Sequence, residues 1–328
     1  MKNVLITGGC GFIGSNFINY YFNNYTEDNI ICLDAMYYCA SKENIRADIR
    51  ESNRFTMIEG NLCNFTLLKT ILSSYNITHI IHFAAQSHVD NSFHNSFQYT
   101  MDNVVGTHNL LEAIKEINKN IFLLHFSTDE VYGETVDDNI KHEQSILCPT
   151  NPYSASKAAA EMYVFSYIYS FKLKAIITRG NNVYGENQYP EKLIPRFIDL
   201  LKRGMKCTIA GTGNQVRNFI HVYDVCTAVD YIMKHGEIGE IYNIGSDIKN
   251  EFSVIDVAHK LILLLKNDMN YSKYIEYIPD RPFNDTRYFI SNDKLTKLGW
   301  IQTINFDEGL KRLCTVHGNC EQRHLKTV

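Results

Sequence analysis

Two short stretches of the sequence carry side chains that can move protons in a concerted way. Thr128, Asp129 and Glu130 lie in Ser127-Thr128-Asp129-Glu130-Val131-Tyr132-Gly133, directly after an apolar run over residues 121–126. Tyr153 and Lys157 come next in Tyr153-Ser154-Ala155-Ser156-Lys157, four positions apart and so on one face at the start of the helix expected over residues 154–171. A tyrosine with an ordinary pKa of about 10 is a poor base near neutrality, and a nearby ammonium lowers that value by favouring the phenolate. With Thr128 hydrogen-bonding the same substrate oxygen, these groups suit oxidation of a secondary alcohol by a nicotinamide. The carboxyl pair suits elimination of water: once a sugar carries a C4 ketone its C5 proton is acidified, and a carboxylate can remove that proton while a carboxylic acid protonates the departing C6 hydroxyl. Two adjacent carboxyls fill both roles if their environments separate their pKa values. Taken singly, Tyr-x-x-x-Lys is common by chance and an Asp-Glu pair is usually a solvated turn. The apolar strand before this pair and Val131-Tyr132 after it argue against the solvated turn.

The elements that must position these groups read as an alternation. The run over residues 121–126 is of the kind buried on both faces of a parallel sheet, which puts residues 128–130 at its carboxyl edge, where open parallel sheets bind ligands. Similar runs at residues 3–6, 30–33, 79–83 and 173–178 are separated by amphipathic stretches. That rhythm predicts an α/β fold, a doubly wound parallel sheet of Rossmann type. After about Gly185 the pattern breaks into shorter helices and irregular stretches containing Pro190, Pro195, Pro279 and Pro282. We expect a dinucleotide-binding domain over residues 1–185, to which a strand near 241–244 returns, a smaller C-terminal substrate-binding lobe over 186–314, and a polar tail over 315–328.

Thr7-Gly8-Gly9-Cys10-Gly11-Phe12-Ile13-Gly14 follows the first strand and opens a helical pattern. Missing side chains at Gly8, Gly11 and Gly14 let the backbone bring its N–H groups and a helix N-terminus against a pyrophosphate, with Phe12 and Ile13 in the same turn. Asp34 ends the second strand twenty residues after Gly14, where a carboxylate accepts ribose hydroxyls and repels a 2′-phosphate, favouring NAD over NADP. Asn61 and Leu62 frame the adenine, and Ala84 and Ala85 end the fourth strand with small residues; for each alanine alone, close helix–strand packing is an equal explanation.

Composition narrows the rest. The 328 residues are 45% hydrophobic with a formal charge of −4, so a large core is available and no long basic field exists for a polynucleotide. No apolar run approaches the ~20 residues of a bilayer span, and nine cysteines without a CxxC pair point to a reducing, cytoplasmic setting. Cys10 reads as a small filler inside the glycine turn. His79 and His82 read as core or rim histidines, and no metal site is expected.

TGGCGFIG, HFAAQSHVDNSF, STDEVYGE, NPYSASKAAAE, RGNNVYGENQYPEKLIP and RPFNDTRYF together resemble the extended short-chain dehydrogenase/reductase family, and within it the nucleotide-sugar 4,6-dehydratases, from about Lys2 to Leu313. The resemblance implies that Tyr153, Lys157 and Thr128 oxidise C4, Glu130 takes the C5 proton and Asp129 protonates the C6 hydroxyl, with NAD regenerated each turnover. It implies substrate contacts from Ser87 and His88, Asn182, Glu191, Lys192 and Leu193, with Arg217 and Arg281 on the diphosphate. It also implies a homodimer through helices near residues 103–117 and 154–171. Asp34-Ala35 and Gly60-Asn61 depart from the family's usual Asp-Lys and Gly-Asp, which bears on the adenosine contacts. Two stretches, RGNNVYGENQYPEK and RPFNDTRYF, look more like the dehydratase portion of plant-type rhamnose synthases, implying UDP-glucose ahead of dTDP-glucose. A nucleotide-sugar 4-epimerase would need Tyr153 and Lys157 but not the carboxyl pair. A non-catalytic NAD-binding sensor or scaffold would be expected to have lost Thr128, Tyr153 or Lys157, and all three are present.

Overall fold

Alternate residues of the apolar strands are buried on opposite sides of one sheet. Val4 and Ile6 join Phe17, Ile18, Ile81 and Leu124 in one core, while Leu5 joins Ile31, Leu33, Ile80 and Leu123 in the other. A strand covered on both faces needs apolar residues at every position, which is why these runs lack a period of two. The computed structural model describes residues 1–135, 139–279 and 287–316. Its strands are β1 (Asn3–Thr7), β2 (Asn29–Asp34), β3 (Phe55–Glu59), β4 (His79–His82), β5 (Phe122–Thr128), β6 (Lys174–Gly180), β7 (Asn182–Tyr184), β8 (Cys207–Ala210), β9 (Val216–His221), β10 (Ile241–Ile244), β11 (Glu251–Ser253), β12 (Ile275–Ile278) and β13 (Arg287–Tyr288).

Seven of them form a parallel sheet in the order β10-β6-β5-β4-β1-β2-β3, the doubly wound arrangement expected from the sequence. The order reverses between β1 and β4, so the carboxyl ends of these neighbours flank a crevice. Beyond β6 the chain builds a second core around Tyr184, Phe197, Phe219, Leu261 and Phe306. It then returns to the first: helix Val222–His235 adds Val225, Val229 and Ile232 to the sheet's core, and β10 pairs with β6 at the edge. Helix Phe306–Val316 runs into the segment read from the sequence as a polar tail; residues 317–328 of that tail lie outside the described residues. No helix among the described residues is long and apolar enough to cross a membrane.

Helix Pro152–Phe171 matters most for the site, and its sequence fixes both ends. Pro152 occupies the first turn, where its missing N–H costs nothing. Asn151 caps it, accepting from the Ser154 N–H at 2.9 Å while the Ser154 hydroxyl accepts from the Asn151 N–H at 3.2 Å. The helix ends at Lys172 in a left-handed conformation. Its middle is pinned by Glu161, which is 0% exposed and receives the guanidinium of Arg179 on β6 at 2.6 Å (Nη2) and 3.1 Å (Nε). Truncating one member strands a buried charge, so Glu161→Ala is expected to destabilise the fold by about 3–5 kcal/mol. Urea unfolding followed by circular dichroism checks this; a loss below about 1 kcal/mol, the range of an exposed pair, would contradict it.

Candidate functional site

The glycine turn crosses the sheet's crevice because side chains are missing where backbones meet. Gly8 has φ of 69° and a Cβ there would lie 2.7 Å from both Cα and N of Ala84, so the ends of β1 and β4 can approach only with glycine at this position. A Cβ at Gly14 would collide with the Gly8 carbonyl, and one at Gly9 would lie 2.5 Å from Cys32 Sγ. Cys10 is fully buried beneath the turn, 4.0 Å from Cys32 Sγ. Gly11 precedes helix Phe12–Asn24 without any side-chain cap, which leaves the N–H groups of the first turn to an anionic group. Asp34, at the end of β2, accepts from the Cys10 N–H at 2.9 Å and the Met36 N–H at 2.8 Å. Burial pushes its pKa up, and those backbone N–H groups pull against the rise. Gly8, Gly11, Phe12, Ile13, Gly14, Asp34, Asn61, Leu62, Ala84 and Ala85 all line one cavity of about 330 Å³. Missing side chains at a helix N-terminus with a carboxylate at the next strand end are what a dinucleotide requires, so the residues fit that group.

The reactive groups meet at the other end of the same cavity, which Thr128, Asp129, Glu130, Tyr153 and Lys157 also line. β5 delivers Thr128, and a single 3₁₀ turn, Asp129–Tyr132, comes directly after it. The Thr128 hydroxyl lies 3.2 Å from Asp129 Oδ1 as donor and accepts from the Glu130 N–H at 3.3 Å. Asp129 is 3% exposed, and its other carboxyl oxygen is buried without a protein partner among the described residues. Burial first, and the charge of Glu130 second, push the Asp129 pKa up to about 8, with Arg217 pulling it down. Near neutrality Asp129 is therefore mostly a neutral acid able to give a proton. Glu130 accepts from the Asn151 side-chain amide at 3.1 Å.

Tyr153 and Lys157 differ from the expectation. The Tyr153 phenol is raised, not lowered: burial comes first, the Glu130 charge adds to it, and a hydrogen bond with Thr128 opposes both. Lys157 donates to the Phe126 carbonyl at 2.8 Å, because a buried ammonium must find an acceptor. Burial lowers its own pKa to about 8, and Glu161, one turn further along the helix, raises it.

Around the remaining part of the cavity the structure gathers Ser87, Asn182, Glu191 and Lys192. Lys192 donates to the Ser87 carbonyl at 3.1 Å, and Glu191 accepts from Tyr38 and lies 3.8 Å from His88. Leu193, His88 and Arg217 do not line the cavity. Leu193 begins helix Leu193–Lys202, and Arg217, on β9, stacks 5.1 Å over Tyr288 while its charge reaches Asp129. Arg281 lies outside the described residues. Tyr37 and Cys39, which belong to no motif in the sequence, also line the cavity, as do Asn181, Gln188 and Tyr189, which lie within RGNNVYGENQYPEKLIP but were not singled out there. Asn103 is a further residue missed: its side chain binds both backbone groups of Gln86, at 2.7 and 3.0 Å, and the Ser156 hydroxyl at 2.8 Å.

A family model described as GDP-mannose 4,6 dehydratase matches residues 5–313. The chain is 47% identical over 313 residues to a trifunctional UDP-glucose 4,6-dehydratase/UDP-4-keto-6-deoxy-D-glucose 3,5-epimerase/UDP-4-keto-L-rhamnose-reductase of Arabidopsis thaliana, covering 95% of this chain and 46% of the relative. It thus spans about half the length of that plant protein. It is 44% identical over 353 residues to a dTDP-D-glucose 4,6-dehydratase of Dictyostelium discoideum, with 95% and 80% covered. The solved structure of dTDP-glucose 4,6-dehydratase from Streptomyces venezuelae with NAD and TYD bound superimposes with a TM-score of 0.90 at 33% identity, covering 97% of each chain.

The raised pKa of Asp129 has a measurable sign. Between its ordinary value of 3.8 and about 8 the folded protein holds a proton that the unfolded chain releases, so this group's contribution to stability falls as pH rises through that window. Asp129→Asn removes the titration. The variant is expected to gain stability relative to wild type progressively from about pH 4 to about pH 8, measured by urea unfolding at several pH values. A difference independent of pH would contradict the assignment.

Proposed function

The chain belongs to the GDP-mannose 4,6 dehydratase family, and within it we propose that it catalyses NAD-dependent 4,6-dehydration of a nucleoside-diphosphate glucose to the 4-keto-6-deoxy sugar. The observation that carries the reading is the carboxyl pair at the end of β5, a buried Asp129 raised to about 8 beside a half-buried Glu130, both facing the same cavity as Tyr153 and the glycine turn. NAD, when bound, supplies reversible hydride acceptance; the residues that would hold it are Gly8, Gly11 and Gly14 at the pyrophosphate, Asp34 at the adenosine ribose, and Lys157 at the nicotinamide end. Tyr153, a phenol in the free protein, would take the C4 hydroxyl proton as its phenolate, the form that the cationic nicotinamide ring of bound NAD would favour, with Thr128 holding the same oxygen. Glu130 then removes the C5 proton acidified by the new ketone, and Asp129 protonates the C6 hydroxyl, which leaves as water. Closure of the cycle adds one proton at C5 and two electrons with a hydrogen at C6, so the sugar loses one water overall and no external oxidant is consumed. A nucleotide-sugar 4-epimerase would have no use for the carboxyl pair. Ser87, Asn182, Glu191 and Lys192, which line the cavity, make up the proposed substrate contacts; His88, Leu193, Arg217 and Arg281 are proposed from the family resemblance alone.

The substrate we favour is UDP-glucose, in a rhamnose-type deoxysugar route, because the plant relative that the chain matches at 47% identity carries that activity in its name; dTDP-glucose is the alternative, named for the Dictyostelium relative. Uracil and thymine differ by one methyl, worth about 1–3 kcal/mol in discrimination, so both nucleotides should turn over at unequal kcat/KM. A homodimer through helices Gly106–Ile117 and Pro152–Phe171 belongs to the same reading, supported by Met162, Tyr163, Tyr169 and Phe171, which remain exposed along the second helix. So do a cytoplasmic setting and the division into a nucleotide-binding part, 1–185, to which residues 222–244 return, and a substrate lobe over the rest of 186–314.

Incubation with nucleotide-glucoses and mass spectrometry tests the reaction: loss of water supports it, and an unchanged mass with a galacto product indicates the epimerase. Glu130→Gln and Asp129→Asn are each expected to cut dehydration about 10²- to 10⁴-fold while oxidation at C4 persists. Tyr153→Phe should stop that oxidation, so no reduced-nicotinamide absorbance appears on adding substrate. Either carboxyl variant dehydrating at the wild-type rate would remove that residue from the mechanism.

A further inference from the structure

One side chain joins the two halves of the chemistry. Asn151, 6% exposed, uses its carbonyl oxygen to cap the helix that carries Tyr153 and Lys157, accepting from the Ser154 N–H at 2.9 Å. Its amide nitrogen donates to Glu130 Oε2 at 3.1 Å. The two functions of the amide point in opposite directions, so the orientation that satisfies the cap also fixes the donor toward the carboxylate. The Asn151 N–H is bound in turn by Ser154 Oγ at 3.2 Å, and Ser154 Oγ donates to the Asn151 carbonyl at 3.0 Å, which locks the residue's backbone. Serine, threonine or aspartate would cap the helix equally well. Among these cap residues only asparagine carries a second polar atom, a donor separate from the oxygen that caps.

Resting on the dehydratase reading above, we propose that Asn151 is a positioning residue for Glu130: it aims the carboxylate that removes the C5 proton and ties its placement to the helix that positions Tyr153. The need for such a tether comes from the surroundings. Glu130 is the second residue past the end of β5, on a 3₁₀ turn, and the charges of Asp129, Tyr153 and Lys192 all couple to it. A base pulled toward Lys192 would swing off the C5 proton. A displacement on the order of 1 Å costs up to about 10²-fold in rate.

The test separates positioning from capping. Asn151→Ser keeps the cap with a shorter side chain that has no second polar atom to reach Glu130; Asn151→Asp keeps the cap, cannot donate, and sets a second carboxylate against Glu130. For Asn151→Ser we expect a melting temperature within about 2 °C of wild type, KM within about threefold, and kcat lower by about 10- to 100-fold, with the C4-oxidised form accumulating because the lost step is deprotonation. For Asn151→Asp the acid limb of the kcat–pH profile should move up by about one unit through like-charge repulsion. The Glu130 carboxyl titration, followed by ¹³C NMR in the free protein, should shift between wild type and both variants whatever the substrate proves to be. If wild type dehydrates a nucleotide-glucose but Asn151→Ser keeps wild-type kcat, or loses activity only in step with stability, the positioning role is overturned. If no nucleotide-glucose is dehydrated, the functional reading fails on its own, and an unmoved Glu130 titration would still overturn the contact.

Discussion

The buried pair Arg179–Glu161 is the constraint on which the geometry of the site depends. Arg179, on β6, is among the largest fully buried side chains, and it does more than neutralise Glu161. Its guanidinium lies 4.6 Å over the Tyr132 ring and donates to the Glu143 carbonyl at 3.1 Å. Tyr132 closes the turn that carries Asp129 and Glu130, and its hydroxyl donates to Asn243 on β10 at 2.8 Å. One planar cation therefore fixes helix Pro152–Phe171, the strand-end turn and, through Tyr132, the outermost strand relative to one another. An apolar contact would slide; a fork of N–H donors with a carboxylate at one end and a ring on its face has few arrangements that satisfy it. Glu161 is one turn beyond Lys157, so the axial position of the helix that places Tyr153 and Lys157 is set by the same contact.

Around that frame, desolvation is the common cause of the unusual protonation. It raises Asp129 and Tyr153 and lowers Lys157, and it reaches the two histidines under the site, with His82 brought down to about 3. His82 remains neutral between the hydroxyls of Thr7 and Thr107, at 2.7 and 3.0 Å, so it is a polar strut between β1, β4 and the helix behind them. His125, alongside it, is fully buried with neither ring nitrogen bound to protein among the described residues. Such groups cost stability, and the large cores on both faces of the sheet offset them. A site assembled from buried polar groups can hold a carboxylic acid protonated at neutral pH, which an exposed turn with the same sequence could not.

The parts of this arrangement that were legible in the sequence share one property: a local pattern determines them. Continuous apolar runs announced β1, β2, β4, β5 and β6 because burial on both faces leaves no alternative. The glycine turn was legible because collisions at Gly8 and Gly14 exclude every other residue. What escaped was set by tertiary contacts. The Lys157 ammonium reaches the Phe126 carbonyl, thirty-one positions earlier, and spacing within a helix cannot reveal that acceptor. The helix expected to start near residue 103 is preceded by a wider π-helical segment, Thr100–Val105, that turns Asp102 and Asn103 inward. No pattern near Asn151 reveals its second partner, because Glu130 comes from a different element.

The departure at Asn61 shows how a local substitution is absorbed by that widened segment. Asn61 donates to the Tyr37 hydroxyl at 2.8 Å and to Asp102 Oδ1 at 3.3 Å, and Asp102 also accepts from Tyr37, Gln86 and Gln98 at 3.0–3.1 Å. An aspartate at position 61 would place a second carboxylate against Asp102 within the same shell. The hydrogen-bond partners of Asp102 among the described residues are all neutral, so no cation there would relieve the repulsion. An amide converts that repulsion into a donated hydrogen bond. The carboxylate at this end of the cavity is thus supplied by the π-helical segment instead of by the turn after β3, and Asn61 and Asp102 are best understood as one coupled choice. The same widening that lets Asp102 reach the cavity brings Asn103 onto Gln86 and Ser156, so the end of the pocket beside Asn61 and the helix that carries Tyr153 and Lys157 are joined through a single irregular turn.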